Sequence, residues 1–252
     1  MRGNNMDAKK TKEKMIAWVR NYFKKTIPSA SAVLGISGGK DSSINSSILK
    51  EALGKEKVVA VMMPDGKQAD IEDSIELTKA VDLQNITVNI GPVTEAFKKQ
   101  VNEGLKDLGL EMSRDAIINM APRIRMAVLY AVAQSLKGGG LVANTCNLSE
   151  DYVGYATKFG DAAGDFSLFA NLTVEDVLKL GDECSDVPAH LVHKTPSDGL
   201  SGMSDEEKIG FTYAELDKYI KTGEAPAELK EKIERMHKAN LHKLEPMPKF
   251  EP

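Results

Sequence analysis

Seven consecutive residues, Ser37-Gly38-Gly39-Lys40-Asp41-Ser42-Ser43, concentrate groups that could do chemistry. Adjacent glycines let a backbone approach an anion closely. The loop follows an apolar run over 32–36 that reads as a buried strand. It precedes a segment over 44–53 with helical pattern that stops at Gly54. A helix beginning there aims free amides and the positive end of its dipole at the loop. Ser37, Ser42 and Ser43 add hydroxyl donors, so the segment reads as a phosphate cradle. It matches neither GxxxxGK[ST] nor GxGxxG. Asp41 is the unusual member, because a carboxylate repels phosphate unless a cation such as magnesium lies between them. The loop therefore points to ATP with magnesium. Taken alone, it also reads as a tight turn with polar capping.

The elements that must hold this loop follow from periodicity. Residues 7–25 place Met15, Ile16, Val19, Tyr22 and Phe23 on one helical stripe. Strands are predicted over 57–63, 85–90 and 141–144, and helices over 69–81, 92–108 and 117–136. Later helices are predicted over 173–181, 204–221 and 226–238, within an otherwise loop-rich stretch that begins at Glu150. This alternation predicts an α/β fold, a parallel sheet with helices on both faces, in one domain over residues 1–252. Ligands in such sheets bind beyond the carboxyl ends of the strands. In the helix over 117–136, Ile124, Val128, Leu129, Val132 and Leu136 form a core stripe. Arg123, Met126, Tyr130 and Gln134 form another. An arginine and a tyrosine on one face suit an anionic ligand with an aromatic ring, and a solvated polar face is the plainer alternative.

Composition narrows the class. The chain has 252 residues, 42% hydrophobic and 28% charged, with a formal net charge of -4. That balance argues against a general nucleic-acid binder. The two cysteines, Cys146 and Cys184, make no disulfide framework and no metal-ligand pair. A cytoplasmic setting is expected, with no membrane partner. The polar N-terminus lacks the apolar core of a signal peptide.

The motif Ser-Gly-Gly-x-Asp-Ser resembles the loop of the N-type ATP pyrophosphatases, which cleave ATP to AMP and pyrophosphate while adenylating a substrate. Further segments, in the right order, resemble ammonia-dependent NAD synthetase. They are 63–70, Asn119 to Met126, Asn144 to Glu150 with 154–165, Lys194 to Leu200 with Asp205-Glu206 and Gly210 to Tyr213, and His242-Lys243. The resemblance implies an adenine nucleotide alpha hydrolase-like, Rossmann-like fold. It implies ATP binding by Gly35, Ile36, Ser37, Gly38, Gly39, Lys40, Asp41, Ser42, Gln68, Thr145 and Ser197. Asp41 and Glu150 would hold magnesium. Asn119, Arg123, Tyr130, Lys158, Asp165, His242 and Lys243 would hold deamido-NAD, and Asp161 would help activate ammonia.

The implied reaction joins deamido-NAD and ammonia at the expense of ATP, through an acyl-adenylate, in a homodimer. The length leaves no room for a glutaminase domain, so free ammonia is the expected nitrogen source. Val174 stands where the family commonly places a lysine on the ATP phosphates; Lys179 and Lys194 are the candidate replacements. Asn144 replaces a usual glycine, and Cys146 reads as structural. A tRNA-modifying ATP pyrophosphatase and a non-catalytic nucleotide-binding protein of the same fold are the alternatives.

Overall fold

The computed structural model describes residues 6–66, 71–194 and 204–251. Five parallel strands form one sheet in the order β3-β2-β1-β4-β5. They are β1 (Ser31–Ile36), β2 (Val58–Met62), β3 (Gln84–Thr87), β4 (Gly140–Asn144) and β5 (Phe166–Ser167). The chain builds outward from β1 through β2 to β3, then returns to place β4 on the other side of β1. The strand order therefore reverses between β1 and β4, and a crevice opens beyond their carboxyl ends.

Strand residues alternate between two cores, as a pleat requires. Ala32, Leu34 and Ile36 of β1 and Val58, Ala60 and Met62 of β2 face one core. There they meet α1 (Ala8–Thr26), α2 (Lys40–Leu53), α3 (Ile71–Ala80), and α8 (Val174–Gly181) with α9 (Ala189–Val192). Val33, Val59, Val61 and Val142 face the opposite core. Helix α4 (Gly91–Leu105) follows Ile90 there, and α5 (Arg114–Ile118) leads into α6 (Met120–Ser135). The stripe Ile124, Val128, Leu129, Val132 and Leu136 packs α6 onto this face. A third cluster joins α7 (Leu148–Val153) and α8 to α10 (Asp205–Ile209), α11 (Tyr213–Thr222) and α12 (Ala227–Leu244).

Several boundaries differ from the sequence expectation for local reasons. The helix expected over 117–136 breaks at Asn119, whose side chain turns back to Asp115 O across 2.8 Å. Pro122, in the first turn of α6, has no N–H to carry the α5 hydrogen-bond ladder onward. The helix expected over 204–221 divides at Gly210, which has φ +77°. A new capping box, Thr212 with Glu215, then starts α11. Helix α2 begins at Lys40, earlier than expected, and α12 runs on to Leu244. The two-residue strand β5 falls inside the stretch read as loop-rich, and the short helix α7 runs into its start at Glu150.

Candidate active site

The glycine loop lies at the carboxyl end of β1, over the point where the sheet order reverses. Gly38 has φ +74°, and a Cβ there would lie 2.7 Å from Asp73 Cβ at the start of α3. Gly39 caps α2 without a side-chain hydrogen bond, so the first-turn amides of α2 are turned toward the loop. Ser43 is fully buried and commits its hydroxyl to Gly39 O at 2.8 Å. Ser42 also donates its hydroxyl to Gly39 O, at 3.1 Å, and with Ser37 lines a cavity of about 710 Å³.

Two carboxylates converge beside this loop. Asp41, in the first turn of α2, and Glu150, in the first turn of α7, each present one oxygen to the Lys40 ammonium. The distances are 2.6 Å for Asp41 Oδ2 and 3.7 Å for Glu150 Oε1. Asn147 holds the other two oxygens: its side-chain amide donates to Asp41 Oδ1, and its backbone amide donates to Glu150 Oε2. Asn147 is also the N-cap of α7, with its side-chain oxygen on the amides of Ser149 and Glu150. Burial, then the neighbouring Asp41 charge, pushes the Glu150 carboxyl far above its usual range, against the pull of Lys40. Two partly buried carboxylate oxygens facing one cation position suit a hard divalent ion such as magnesium, and the Lys40 ammonium marks that position.

The opposite wall of the cavity comes from α5, α6 and the loop over 154–161. Asn119, Arg125, Asp161 and Lys243 all line it. Asn119 Oδ1 accepts the Thr157 hydroxyl at 2.6 Å, and Asp161 Oδ1 accepts Thr157 N–H at 2.8 Å. Burial raises the Asp161 carboxyl, and the bonds it accepts from backbone amides oppose that rise. Lys243 donates to Gly154 O and Ala156 O at 2.6 and 3.0 Å.

Asn144 settles the local geometry at the end of β4. Its side chain reaches Asp161 O at 2.8 Å and Cys146 N at 3.0 Å, tying the strand to the 161–163 turn. The Cys146 thiol donates to Asp161 O, and burial raises it well above its usual value, which keeps it protonated and unreactive.

Among the residues singled out from sequence, the cavity brings together Gly35, Ile36, Ser37, Gly39, Lys40, Asp41 and Ser42 with Thr145 and Glu150. Asn119, Asp161 and Lys243 face them. Arg123, Tyr130, Lys158, Asp165 and His242 do not line it. Arg123 Nε donates to Lys158 O at 3.3 Å, and Lys158 Nζ donates to His242 O. Tyr130 donates to Asp165 Oδ1 at 3.3 Å, while Asp165 Oδ2 accepts Val142 N–H at 2.7 Å. Gln68 and Ser197 lie outside the described residues. Val174 is buried in the third cluster. Of the two candidate replacements, Lys194 lines the cavity and pairs with Asp73 at 2.6 Å, whereas Lys179 pairs with Glu175 on α8.

Sequence reasoning missed two residues of this site. Asn147 begins the pattern Asn-x-x-Glu, which is a legible capping signature. Arg125 belongs to the same motif as Arg123 but turns into the cavity. Its Nε donates to Met63 O at 3.1 Å, and among the described residues it forms no ion pair.

A family model described as NAD synthase matches residues 11–247. The NH(3)-dependent NAD(+) synthetase of Thermoplasma acidophilum is 34% identical over 234 residues, covering 89% of this chain and 92% of that protein. The structure resembles that of an NMN synthetase from Francisella tularensis with a TM-score of 0.86 at 30% identity, over 98% of this chain and 100% of that one. It resembles an NH3-dependent NAD synthetase from Campylobacter jejuni with a TM-score of 0.77 at 27% identity, with the same coverage. A family match over nearly the whole length and a third of residues shared with full-length relatives lead to one conclusion: this chain belongs to the NAD synthase family.

Proposed function

We propose that the protein amidates the nicotinate carboxylate of deamido-NAD with ammonia, converting ATP to AMP and pyrophosphate and releasing NAD. The observation that carries this reading is a single cavity with an anion loop and paired carboxylates on one wall and Asn119, Arg125 and Asp161 on the other. A carboxylate is a poor acyl donor, because its leaving group would be oxide. Attack of the nicotinate oxygen on the α-phosphorus breaks the bond to the β-phosphate and forms an acyl-adenylate. Amides of the 37–42 loop hold the departing pyrophosphate. Ammonia then attacks the acyl carbon, and AMP leaves. Asp161 takes the proton that nitrogen must lose.

Asp41 and Glu150 would hold magnesium, which when bound neutralises charge on the polyphosphate. Thr145 and Lys194 line the ATP side, and Lys194 is the better placed substitute for the family lysine. Asn119 and Lys243 contact the acid substrate directly; Arg123, Lys158 and His242 hold the loop and helix that close around it. Helices α5 and α6, over Arg114–Ser135, are strongly apolar yet only partly covered by the rest of the chain. With exposed Val93, Phe97 and Ile118 nearby, this face suits a second copy of the chain, giving a homodimer. Two unpaired, buried cysteines fit a reducing, cytoplasmic setting.

The test is purified protein with deamido-NAD, ATP, magnesium chloride and ammonium chloride. NAD, AMP and pyrophosphate should appear in equal amounts. Pyrophosphate without NAD overturns the reading.

A second reading has its own support. The fold follows the Francisella NMN synthetase more closely, at a TM-score of 0.86, than the Campylobacter NAD synthetase, at 0.77. Several residues that the resemblance gives to the dinucleotide are also bonded to one another. On this reading the acid is nicotinate mononucleotide. Comparing kcat/KM for the two acids decides, and a tenfold preference for the mononucleotide would replace the first reading.

A further inference from the structure

Lys40 occupies the x position of Ser-Gly-Gly-x-Asp-Ser, where the turn itself makes no demand on residue type. A lysine is poorly suited to the first turn of a helix, because the dipole there is positive. Lys40 is nevertheless only 4% exposed. Its ammonium lies 2.6 Å from Asp41 Oδ2, 3.7 Å from Glu150 Oε1 and 5.9 Å from the Tyr213 ring centroid. Burying an ammonium is costly unless oxygens meet it, and here Asp41 meets it at hydrogen-bond distance with Glu150 beside it. The oxygens it contacts are those the site offers to a divalent cation. The other oxygen of each acid is held by Asn147.

We propose that Lys40 is a resident counter-cation that competes with free divalent metal for Asp41 and Glu150 and moves onto the polyphosphate when ATP brings its metal. This rests on the reading that the site binds ATP with a divalent cation. It goes beyond that reading in making metal entry depend on the nucleotide. ATP supplies new anionic partners for the ammonium, so the two acids are released only when nucleotide arrives. The coupling is reciprocal, as linkage requires.

The test is titration of nucleotide-free protein with Mn²⁺, followed by the paramagnetic resonance signal of unbound Mn²⁺. Wild-type protein should bind Mn²⁺ weakly alone and, after correction for the Mn²⁺ that the analogue chelates in a protein-free control, at least tenfold more tightly with a non-hydrolysable ATP analogue. Lys40→Met, which keeps the apolar stem, should bind Mn²⁺ at least tenfold more tightly than wild type without nucleotide. Adding Glu150→Gln to Lys40→Met should abolish that gain. Lys40→Arg, which keeps the charge, should bind free Mn²⁺ as weakly as wild type. Unchanged or weaker Mn²⁺ binding by Lys40→Met overturns the proposal. So does equal wild-type affinity with and without the analogue. If Lys40→Met fails to fold, Lys40→Gln takes its place, and the wild-type comparison still decides. Failure of the ATP reading is separate: it would appear as no analogue binding to wild-type protein, whatever Mn²⁺ does alone.

Discussion

Asn147 Nδ2 lies 3.2 Å from Asp41 Oδ1, while the backbone amide of the same residue reaches Glu150 Oε2 at 3.4 Å. One residue thus aims two acids that are 109 positions apart in the chain, as their numbers give, at a single point. Asn147→Ala should lose both the aim of Asp41 and a helix cap, at about 1 kcal/mol for the cap. Asn147→Asp retains the capping oxygen but sets a carboxylate against Asp41. The expected outcome is a lower Tm for both variants, from loss of the cap in Asn147→Ala and from buried like-charge repulsion in Asn147→Asp, with kcat/KM reduced at least tenfold in both. Thermal melts and steady-state kinetics read the two effects apart.

Arg125 enters the cavity with one nitrogen held by Met63 O and the rest of its guanidinium free of any ion pair among the described residues. Hydrogen bonds to a charged group contribute about 1.5–3 kcal/mol, so Arg125→Met should lower kcat/KM by about 10- to 150-fold. Arg125→Lys should recover only part of the loss, since an ammonium cannot hold Met63 O and a substrate anion in one planar fork. A wild-type rate in Arg125→Met would remove this residue from the site.

Asp161 gives a prediction about pH. Burial lifts its carboxyl above the ordinary range, so the unfolded chain releases this proton at lower pH than the folded one. The stability it contributes is complete below the unfolded value and declines as pH rises through the raised folded value. Asp161→Asn cannot ionise, and its amide oxygen can still accept from Thr157 N–H. The Tm of Asp161→Asn relative to wild type should therefore rise from pH 4 to pH 8. Its kcat should fall by about 10²- to 10⁴-fold with loss of the proton acceptor.

Gly154, at the C-cap of α7, has φ +69° and faces Asn240 of α12, where an added Cβ would overlap Asn240 Cγ. Gly154→Ala should destabilise the protein by more than the ~1–2 kcal/mol of left-handed strain alone. Adding Asn240→Gly should recover the overlap but not the strain. Urea melts of the two single variants and the double variant separate these contributions.

Local pattern made the fold legible wherever it decided the outcome. The glycine loop, the alternation around β1 and the Ile124–Leu136 stripe needed only neighbouring residues, and the structure agrees with each. The break at Asn119 was hidden because apolar periodicity continues across it while the Thr157 hydroxyl, distant in sequence, engages its side chain. Strand β5 is two residues long, too short for any period to register. Within the site, Asp41 and Glu150 were legible by type and motif. The placement of Lys40 between them was not, because it depends on how α2 and α7 meet. Arg123 and Arg125 share one motif, and only the rotation of α6 shows which of them enters the cavity.

Helix α12 grips the end of α7 and the loop after it in good part through main-chain carbonyls. His237 bonds Tyr152 O, Asn240 bonds Val153 O, and Lys243 bonds Gly154 O and Ala156 O. Every residue type carries a carbonyl, so this part of the clasp is indifferent to the side chains that bear it. Three side-chain contacts add to it: the Tyr152 ring stacks on His237, Lys158 donates to His242 O, and Gly154 faces Asn240. Exchange of the side chains at 155 and 156 would therefore leave the main-chain part of this clasp in place.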